Sequence, residues 1–320
     1  MRATAIAQPN IALIKYWGKR DLERNLPAVG SISITLRDLF TKMQIEFDER
    51  LLADELTVNG AADETMLPRL SNCLDLVVGR VRPRAIIVSQ CNFPIAAGLA
   101  SSASAFAAAT IAAARASGQT FSSEALASLA GRSSGSAARS LCGGFVELEN
   151  TDTDIAVRTI CDSEQWPLTV VVAITEAGPK AVGSTEAMEI SRETSAFYSK
   201  WVRRQNEDLK TARDAILRRD FEQLASIAEH NCLKMHSVMW ASRPPLVYWN
   251  SATMRCLQTV RKLQGSRLGV FFTIDAGPQV KAVCLPEHAE EVRSALAATE
   301  GVADVMVTGL GDAARLVDNA

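Results

Sequence analysis

The sequence predicts an α+β fold, and three observations carry that expectation. Runs of alternating or β-branched residues fill the stretch from Thr4 to Gln90, helical spacing takes over between Glu193 and Leu263, and strand-like runs return from Leu268 to Val307. In order, Thr4 to Ala7 reads as a short strand. Ser31 to Leu36 (S-I-S-I-T-L) and Lys42 to Phe47 (K-M-Q-I-E-F) alternate polar and apolar, as half-buried strands do. Leu56-Thr57-Val58 before Asn59-Gly60 signals a strand and a turn. Leu67 to Val81 spaces Leu70, Cys73, Leu74 and Val77 on one helical face, and Arg69 in its first turn opposes the helix dipole. That suits either an ordinary surface arginine or one that meets a ligand. Arg84 to Gln90 is a strand and Ala103 to Ala116 a buried, alanine-rich helix. Ser122 to Leu129 starts another helix, and Phe145 to Glu149 and Leu168 to Ile174 are strands. The second half reads as a loop from Gly178 to Met188, then helices over Glu193 to Leu217, Phe221 to Asn231 and Tyr248 to Leu263. It closes with strands Leu268 to Ile274, Lys281 to Leu285 and Ala303 to Val307 around a helix, Glu287 to Ala297.

Composition bounds the function. At 320 residues the chain is long enough for one large or two moderate domains, and 48% hydrophobic with 22% charged is ordinary globular composition. A formal net charge of −2 gives no reason to expect nucleic acid or an anionic membrane as partner. Seven scattered cysteines without a C-x-x-C suggest reduced thiols in a cytoplasmic protein. No signal-peptide core follows Met1, and the longest apolar run, Leu99 to Ala116, is too rich in Ala and Ser to span a bilayer.

Four stretches carry chemistry. Phe93 to Phe106 (F-P-I-A-A-G-L-A-S-S-A-S-A-F) is a small-residue loop between a strand and a helix start. Gly98 allows unusual dihedrals, and Ala100, Ser101 and Ser102 have no bulk, so a ligand can approach backbone N–H groups with the helix dipole behind them. This suits a phosphate cradle as well as it suits a tightly packed turn; it is not a Walker loop, because G-x-x-x-x-G-K-[ST] is absent. Asn10 to Arg20 (N-I-A-L-I-K-Y-W-G-K-R) places Lys15 and Lys19 around Tyr16, Trp17 and Gly18, and Gly18 favours a loop: a solvated basic loop, or a grip on phosphate. Ser133 to Gly144 gathers small hydroxyls around Arg139, which can pair with a carboxylate or phosphate through two hydrogen bonds. Asp275, before Ala276-Gly277-Pro278, is either an Asx-turn cap or a general base. His230 and His236, six apart, do not share a helical face and read as structural or surface groups; Trp201, Trp240 and Trp249 read as packing for the C-terminal half.

Five motifs together resemble diphosphomevalonate decarboxylases of the GHMP kinase superfamily: N-I-A-L-I-K-Y-W-G-K-R (10–20), F-P-I-A-A-G-L-A-S-S-A-S (93–104), S-G-S-A-A-R-S-L-C-G-G-F-V (134–146), G-S-T-E-A-M (183–188) and I-D-A-G-P (274–278). They fall in the family's order across nearly the whole chain. The resemblance implies two lobes about a cleft, an N-terminal ATP-binding lobe of ribosomal-protein-S5-like type over 1–175 and a ferredoxin-like C-terminal lobe over 176–320. It implies ATP-dependent decarboxylation of (R)-5-diphosphomevalonate, with Mg²⁺, in a cytoplasmic homodimer. It implies Asp275, Lys15 and Arg139 as catalytic residues, with Arg139 on the substrate carboxylate. Tyr16, Trp17, Gly18, Lys19, Arg69, Ser134, Gly135, Ser136, Ala137, Ala138 and Thr185 match substrate-binding positions. Gly98, Leu99, Ala100, Ser101 and Ser102 match the ATP loop, with Ser102 facing the metal. Two positions depart from the pattern: Ala28-Val29-Gly30-Ser31 replaces the usual N-S-S after L-P, and Ile274 the usual Phe. Two neighbouring activities share most of these residues: a 5-phosphomevalonate decarboxylase, and a kinase that phosphorylates the 3-hydroxyl and stops.

Overall fold

The computed structural model describes residues 1–93, 100–176, 178 and 181–317. The first half holds strands β1 (Arg2–Ala7), β2 (Asn10–Ile14), β3 (Lys19–Asp21), β4 (Leu26–Pro27), β5 (Ser31–Thr35), β6 (Thr41–Asp48), β7 (Glu55–Val58), β8 (Ala61–Ala62) and β9 (Arg84–Cys91). Helices α1 (Leu67–Val78), α2 (Ser101–Ala116) and α3 (Ser123–Ser133) interleave with them, before β10 (Phe145–Asn150), β11 (Ile155–Cys161) and β12 (Thr169–Ile174). Then come α4 (Ser184–Thr194), α5 (Tyr198–Arg218), α6 (Phe221–Trp240), α7 (Ser251–Gly265), β13 (Val270–Thr273), β14 (Val280–Cys284), α8 (Ala289–Ala297), β15 (Asp304–Gly309) and β16 (Arg315–Val317).

Three larger sheets organise these strands, in the orders β16-β1-β6-β9-β7-β8, β11-β10-β5-β2 and β13-β14-β12-β15. On the first, Ala3, Ala5 and Ala7 of β1 meet Met43, Ile45 and Ile87 and the alanines of α2. Small residues on both sides let helix and sheet approach closely, which explains why α2 can be almost all alanine and still be core. The third sheet is buried on both faces. Val171 and Ala173 pack with Cys232, Cys256 and Val260, whereas Val170 and Val172 face Ile11, Leu13, Ile32 and Ile34 of the middle sheet. That double burial is why T-V-V-V-A-I reads as an unbroken apolar run.

Most expected elements form. The differences have identifiable causes. Asn10 to Ile14 is a strand paired with β5 rather than part of a basic loop. The helix expected from Glu193 to Leu217 is two helices, because Ser195 takes an extended conformation (φ −79°, ψ 123°) between α4 and α5. The loop expected over Gly178 to Met188 gives way to α4 at Ser184. Helix α6 runs nine residues past Asn231, its buried side carried on by Cys232, Met235, Val238 and Met239. Helix α7 starts at Ser251, behind a capping box made by Asn250 and Thr253. Strands β11 and β16 were not anticipated. Strand β12, which a boundary at 175/176 groups with the first half, pairs only with β14 and β15, and β16 returns to pair with β1.

Candidate active site

Strands β2 and β13 deliver the two central groups. Thr273 donates from its hydroxyl to the Ala12 carbonyl at 3.0 Å, tying the strands side by side. Lys15 follows β2 and Asp275 follows β13, and the Lys15 Nζ sits 2.7 Å from the Asp275 Oδ1. Lys281 on β14 is the cross-strand partner of Thr273, so it projects to the same face as Asp275 two residues on. Its Nζ lies 3.4 Å from Oδ2, the other carboxylate oxygen. Both lysine side chains are 1% exposed and the Asp275 side chain 27%, so Asp275 is the half-buried member of the trio, with its Oδ2 turned inward. Burial alone would raise the Asp275 pKa, but Lys15 and Lys281 outweigh it and hold the carboxyl below the usual carboxylate range. The Lys281 ammonium is pushed down by burial, against the pull of Asp275 and helped by repulsion from Lys15.

Arg139 lies in the 3₁₀ turn Ala137–Leu141 and is 2% exposed. Among the described residues its guanidinium donates to neutral acceptors, the Asn10 Oδ1 at 3.2–3.3 Å, the Ser33 Oγ at 3.1 Å and the Ser31 Oγ at 2.7 Å. Burial pulls its pKa down to about 10, with Tyr16 and Asp275 opposing. The Tyr16 hydroxyl is itself buried and has no hydrogen-bond partner among the described residues, and burial raises the phenol. Gly135 is what lets that ring in, since a Cβ there would fall on the Tyr16 hydroxyl. Gly18 does the same for Tyr198 from a left-handed conformation, φ +97°.

A second group of cations stands apart from this centre. Lys19, 8% exposed, donates to the Thr185 Oγ1 at 3.5 Å near the start of α4. Burial lowers its pKa, Glu189 opposes, and Arg69 lowers it further, so Arg69 is within electrostatic reach. Arg69 is exposed, its guanidinium 4.8 Å above the Phe106 ring. The expected residues Gly98 and Leu99 lie outside the described residues. Ala100 takes a left-handed conformation (φ 55°), and Ser101 and Ser102 open α2 with no side-chain cap on its N-terminus. Ser134 and Ser136 are half-buried beside Arg139 in sequence. Ala137 and Ala138 are fully buried in two hydrophobic clusters, and Trp17 packs in a third with Trp201 and Met235. Those three side chains build the wall rather than meet solvent.

Sequence reasoning missed the groups that hold this centre in place. The Lys15 backbone is fixed from both sides: its N–H donates to the Asn231 Oδ1 at 2.8 Å and its carbonyl accepts from the Gln205 Nε2 at 2.8 Å. Asn231 in turn donates to Gln205 and to Asp208, at 2.9 and 2.6 Å. On the same helix the adjacent Cys232 and, one turn further, His236 meet the polar groups of Ile274, immediately before Asp275. His236 is fully buried, and burial lowers its pKa to about 3, so it is neutral; His230 is exposed. Lys281 had one signal in the sequence, a lysine in an otherwise apolar strand, V-K-A-V-C.

Comparison with known proteins agrees over the whole chain. Residues 7–158 match a diphosphomevalonate decarboxylase-like N-terminal domain and residues 170–310 a mevalonate 5-diphosphate decarboxylase C-terminal domain. The diphosphomevalonate decarboxylase of Schizosaccharomyces pombe is 34% identical over 100% of this chain and 88% of its own. Two solved structures superpose with TM-scores of 0.93 at 32% identity. One is described as MDDEF in complex with MVAPP, AMPPCP and magnesium and covers 100% of this chain and 99% of its own; the other is mevalonate diphosphate decarboxylase from Staphylococcus aureus, covering 99% and 98%. Similarity of that extent, in sequence and in fold, means that the chain belongs to the diphosphomevalonate decarboxylase family.

Proposed function

We propose that the site around Lys15, Asp275 and Arg139 carries out the ATP-dependent decarboxylation of (R)-5-diphosphomevalonate. The products are isopentenyl diphosphate, ADP, phosphate and CO₂. The observation that carries this reading is the buried Arg139, a cation held by neutral acceptors beside a lysine–aspartate pair. A guanidinium so placed suits a substrate carboxylate, and a kinase that stopped after phosphorylation would have no use for that clamp.

The chemistry follows from the substrate. A 3-hydroxy acid has no carbonyl β to the carboxylate, so the electrons released by CO₂ loss need another sink. Phosphorylation of the 3-hydroxyl makes it a leaving group. Positive charge builds at C3 as phosphate departs, the C1–C2 bond breaks, and its electrons form the alkene. Asp275 would orient the hydroxyl and stabilise the developing cation electrostatically. Arg139 would hold the carboxylate in line for elimination. Lys19, Arg69 and Thr185 suit the diphosphate end, with Tyr16, Trp17, Gly18, Ser134, Gly135 and Ser136 shaping the pocket between. The start of α2 at Ser101 and Ser102 suits the ATP phosphates. Bound magnesium would supply neutralisation of phosphate charge during transfer. Among the described residues no group of three or more His, Cys, Asp or Glu could hold an ion alone. The Ser102 hydroxyl at the start of α2 would be the residue of this chain to help hold a hard cation there.

Lobes at 1–175 and 176–320, a homodimeric state and a cytoplasmic location remain proposals that rest on the family resemblance. The pairing of β12 and β16 favours moving both strands across the lobe boundary, and seven unpaired cysteines agree with a reducing compartment. No helix among the described residues is long and apolar enough to cross a membrane. The test is product analysis with ATP and either 5-diphosphomevalonate or 5-phosphomevalonate. Release of CO₂ and isopentenyl diphosphate from the first is the expected result; preference for the monophosphate, or a stable 3-phosphate, would overturn the reading.

A further inference from the structure

The four residues between β2 and β3, Lys15 to Gly18, carry the ammonium that meets Asp275 at one end and lead into Lys19 at the other. They belong to no strand, yet Lys15, Trp17 and Gly18 are buried, and buried backbone polar groups need partners. A strand would find them in its ladder. Here side chains of α5 and α6 supply most of them. The Lys15 N–H donates to the Asn231 Oδ1 at 2.8 Å, and the Lys15 carbonyl accepts from the Gln205 Nε2 at 2.8 Å. The Trp17 carbonyl accepts from the Trp201 Nε1 at 3.0 Å, and the Gly18 carbonyl from the Ala28 N–H at 2.9 Å. Tyr198, at the start of α5, closes against Gly18. Tyr198, Trp201 and Gln205 stand at i, i+3 and i+7, so they share one helical face and meet Gly18, Trp17 and Lys15 in that order. The steps match: four residues of helix advance about 6 Å, close to the roughly 6.6 Å that two residues of a stretched chain span.

We propose that this face of α5 positions the Lys15–Lys19 segment for the reaction, with Gln205 setting the chemical end through Lys15 and Trp201 setting the phosphate end through Trp17. Gln205, Asn231 and Trp201 are positioning residues; their contacts are to the segment and to one another. Their own orientations are fixed in turn. Gln205 and Asn231 are fully buried and Trp201 is 2% exposed. Both amide hydrogens of Asn231 are taken, by the Gln205 Oε1 at 2.9 Å and the Asp208 Oδ2 at 2.6 Å, which leaves its Oδ1 for the Lys15 N–H. Gln205 also reaches the Gly30 carbonyl at 3.3 Å, tying the segment to the start of β5. Lys234 closes the network from outside, 2.6 Å from Asp208 and 5.9 Å from the Trp201 ring. A segment held by side chains rather than by a strand ladder can be shifted at either end by a single substitution. The Lys15 end faces Asp275 and the Lys19 end faces Thr185, so the two shifts have different kinetic signatures. This inference rests on the decarboxylase reading.

The experiment measures steady-state kcat and KM for 5-diphosphomevalonate at saturating ATP, beside a thermal melt. Gln205→Met keeps length and volume but removes the donor to the Lys15 carbonyl. It should lower kcat about tenfold or more, with KM within about threefold. Trp201→Phe keeps an aromatic ring but removes the donor to the Trp17 carbonyl. It should raise KM about three- to tenfold, with kcat changed less than KM. Asn231→Leu frees the Lys15 N–H, serves if Gln205→Met does not fold, and should repeat the loss in kcat. A purely structural role would lower the melting temperatures without this split. A folded Gln205→Met enzyme with kcat within twofold of the wild type, or two variants that change kcat and KM in the same proportion, overturns the inference. A wild type that releases no CO₂ from this substrate overturns the decarboxylase reading instead, so the two failures are distinguishable.

Discussion

Two buried arginines in this protein are surrounded in opposite ways. The Arg82 side chain is fully buried, with its guanidinium bidentate on Asp54 at 2.8 and 2.6 Å and its Nε 2.8 Å from Asp75. Burial would lower its pKa, but the two carboxylates reverse that and raise it. Arg139 is equally buried, has no carboxylate against its guanidinium among the described residues, and is pulled down instead. Around Arg82 one cation faces two acids; around Arg139, Lys15 and Lys281, three cations face Asp275. The first cluster is complete and can only be structural. The second carries excess positive charge that a substrate bearing a carboxylate and phosphates would neutralise. A buried charge left unpaired is expensive, so its persistence marks the place where something else is to bind.

The comparison can be broken in four ways. Asp275→Asn should have the largest effect. It keeps size and turn-capping ability but loses the charge, so kcat of the folded fraction should fall by at least about 10³ with KM changed under about tenfold, and the melting temperature should also fall because the buried Lys15 and Lys281 are left without their carboxylate. A folded variant with near-normal kcat would make Asp275 a turn cap. Arg82→Met should cost about 3–5 kcal/mol of stability by stranding Asp54, read by urea titration, while kcat/KM of the folded fraction stays as in the wild type. Arg139→Gln should reverse that pattern. It should lose about 1.5–3 kcal/mol of substrate interaction, or roughly 10- to 150-fold in kcat/KM, while its melting temperature holds or rises because an unpaired buried cation has gone. Equal loss of stability in the two arginine variants would erase the distinction between them.

His236 tests the same logic with a buried group that carries no charge. Its folded pKa of about 3 lies below the unfolded value of about 6.5. As pH falls below 6.5 the unfolded chain takes up a proton that the folded chain refuses until about pH 3, so stability is lost across that window. Between pH 7 and 5 this group should remove about 2 kcal/mol. His236→Asn should lose that much less than the wild type over the same interval in urea titrations. An identical pH dependence would mean that the imidazole is already charged in the fold.

Much of this site was legible in the sequence because its members sit in short motifs with unusual composition. Asp275 stands before Ala-Gly-Pro, Arg139 alone among serines and glycines, and Lys15 beside Tyr and Trp. The supporting groups were not legible for a physical reason. Asn231, Gln205 and Asp208 lie on two helices whose apolar spacing says only which face is buried. That a polar position meets the Lys15 backbone depends on how α5 and α6 cross β2, which no local pattern encodes. Ala137 and Ala138 show the converse: they lie inside a chemical motif, but their side chains are core. The break between α4 and α5 was missed because serine and threonine near Ser195 fit a helix interior poorly but do not forbid one.

The return of β16 to β1 bears on how the protein is made. Thr4 pairs with Val317 and Ile6 with Arg315, while Gly311 and Leu310 bond back to Gly144, Thr35 and Leu36 on the way. During synthesis β1 waits with one edge open until β16 has emerged from the ribosome. The β13-β14-β12-β15 sheet, drawn from residues 169 to 309, is finished before its predecessor. Assembly therefore runs against the direction of translation for this layer, and until β16 is made β1 presents an unpaired edge of the kind that recruits wrong neighbours. Its sequence, R-A-T-A-I-A, is suited to that wait, since its alanines are small and offer little apolar surface to a stranger.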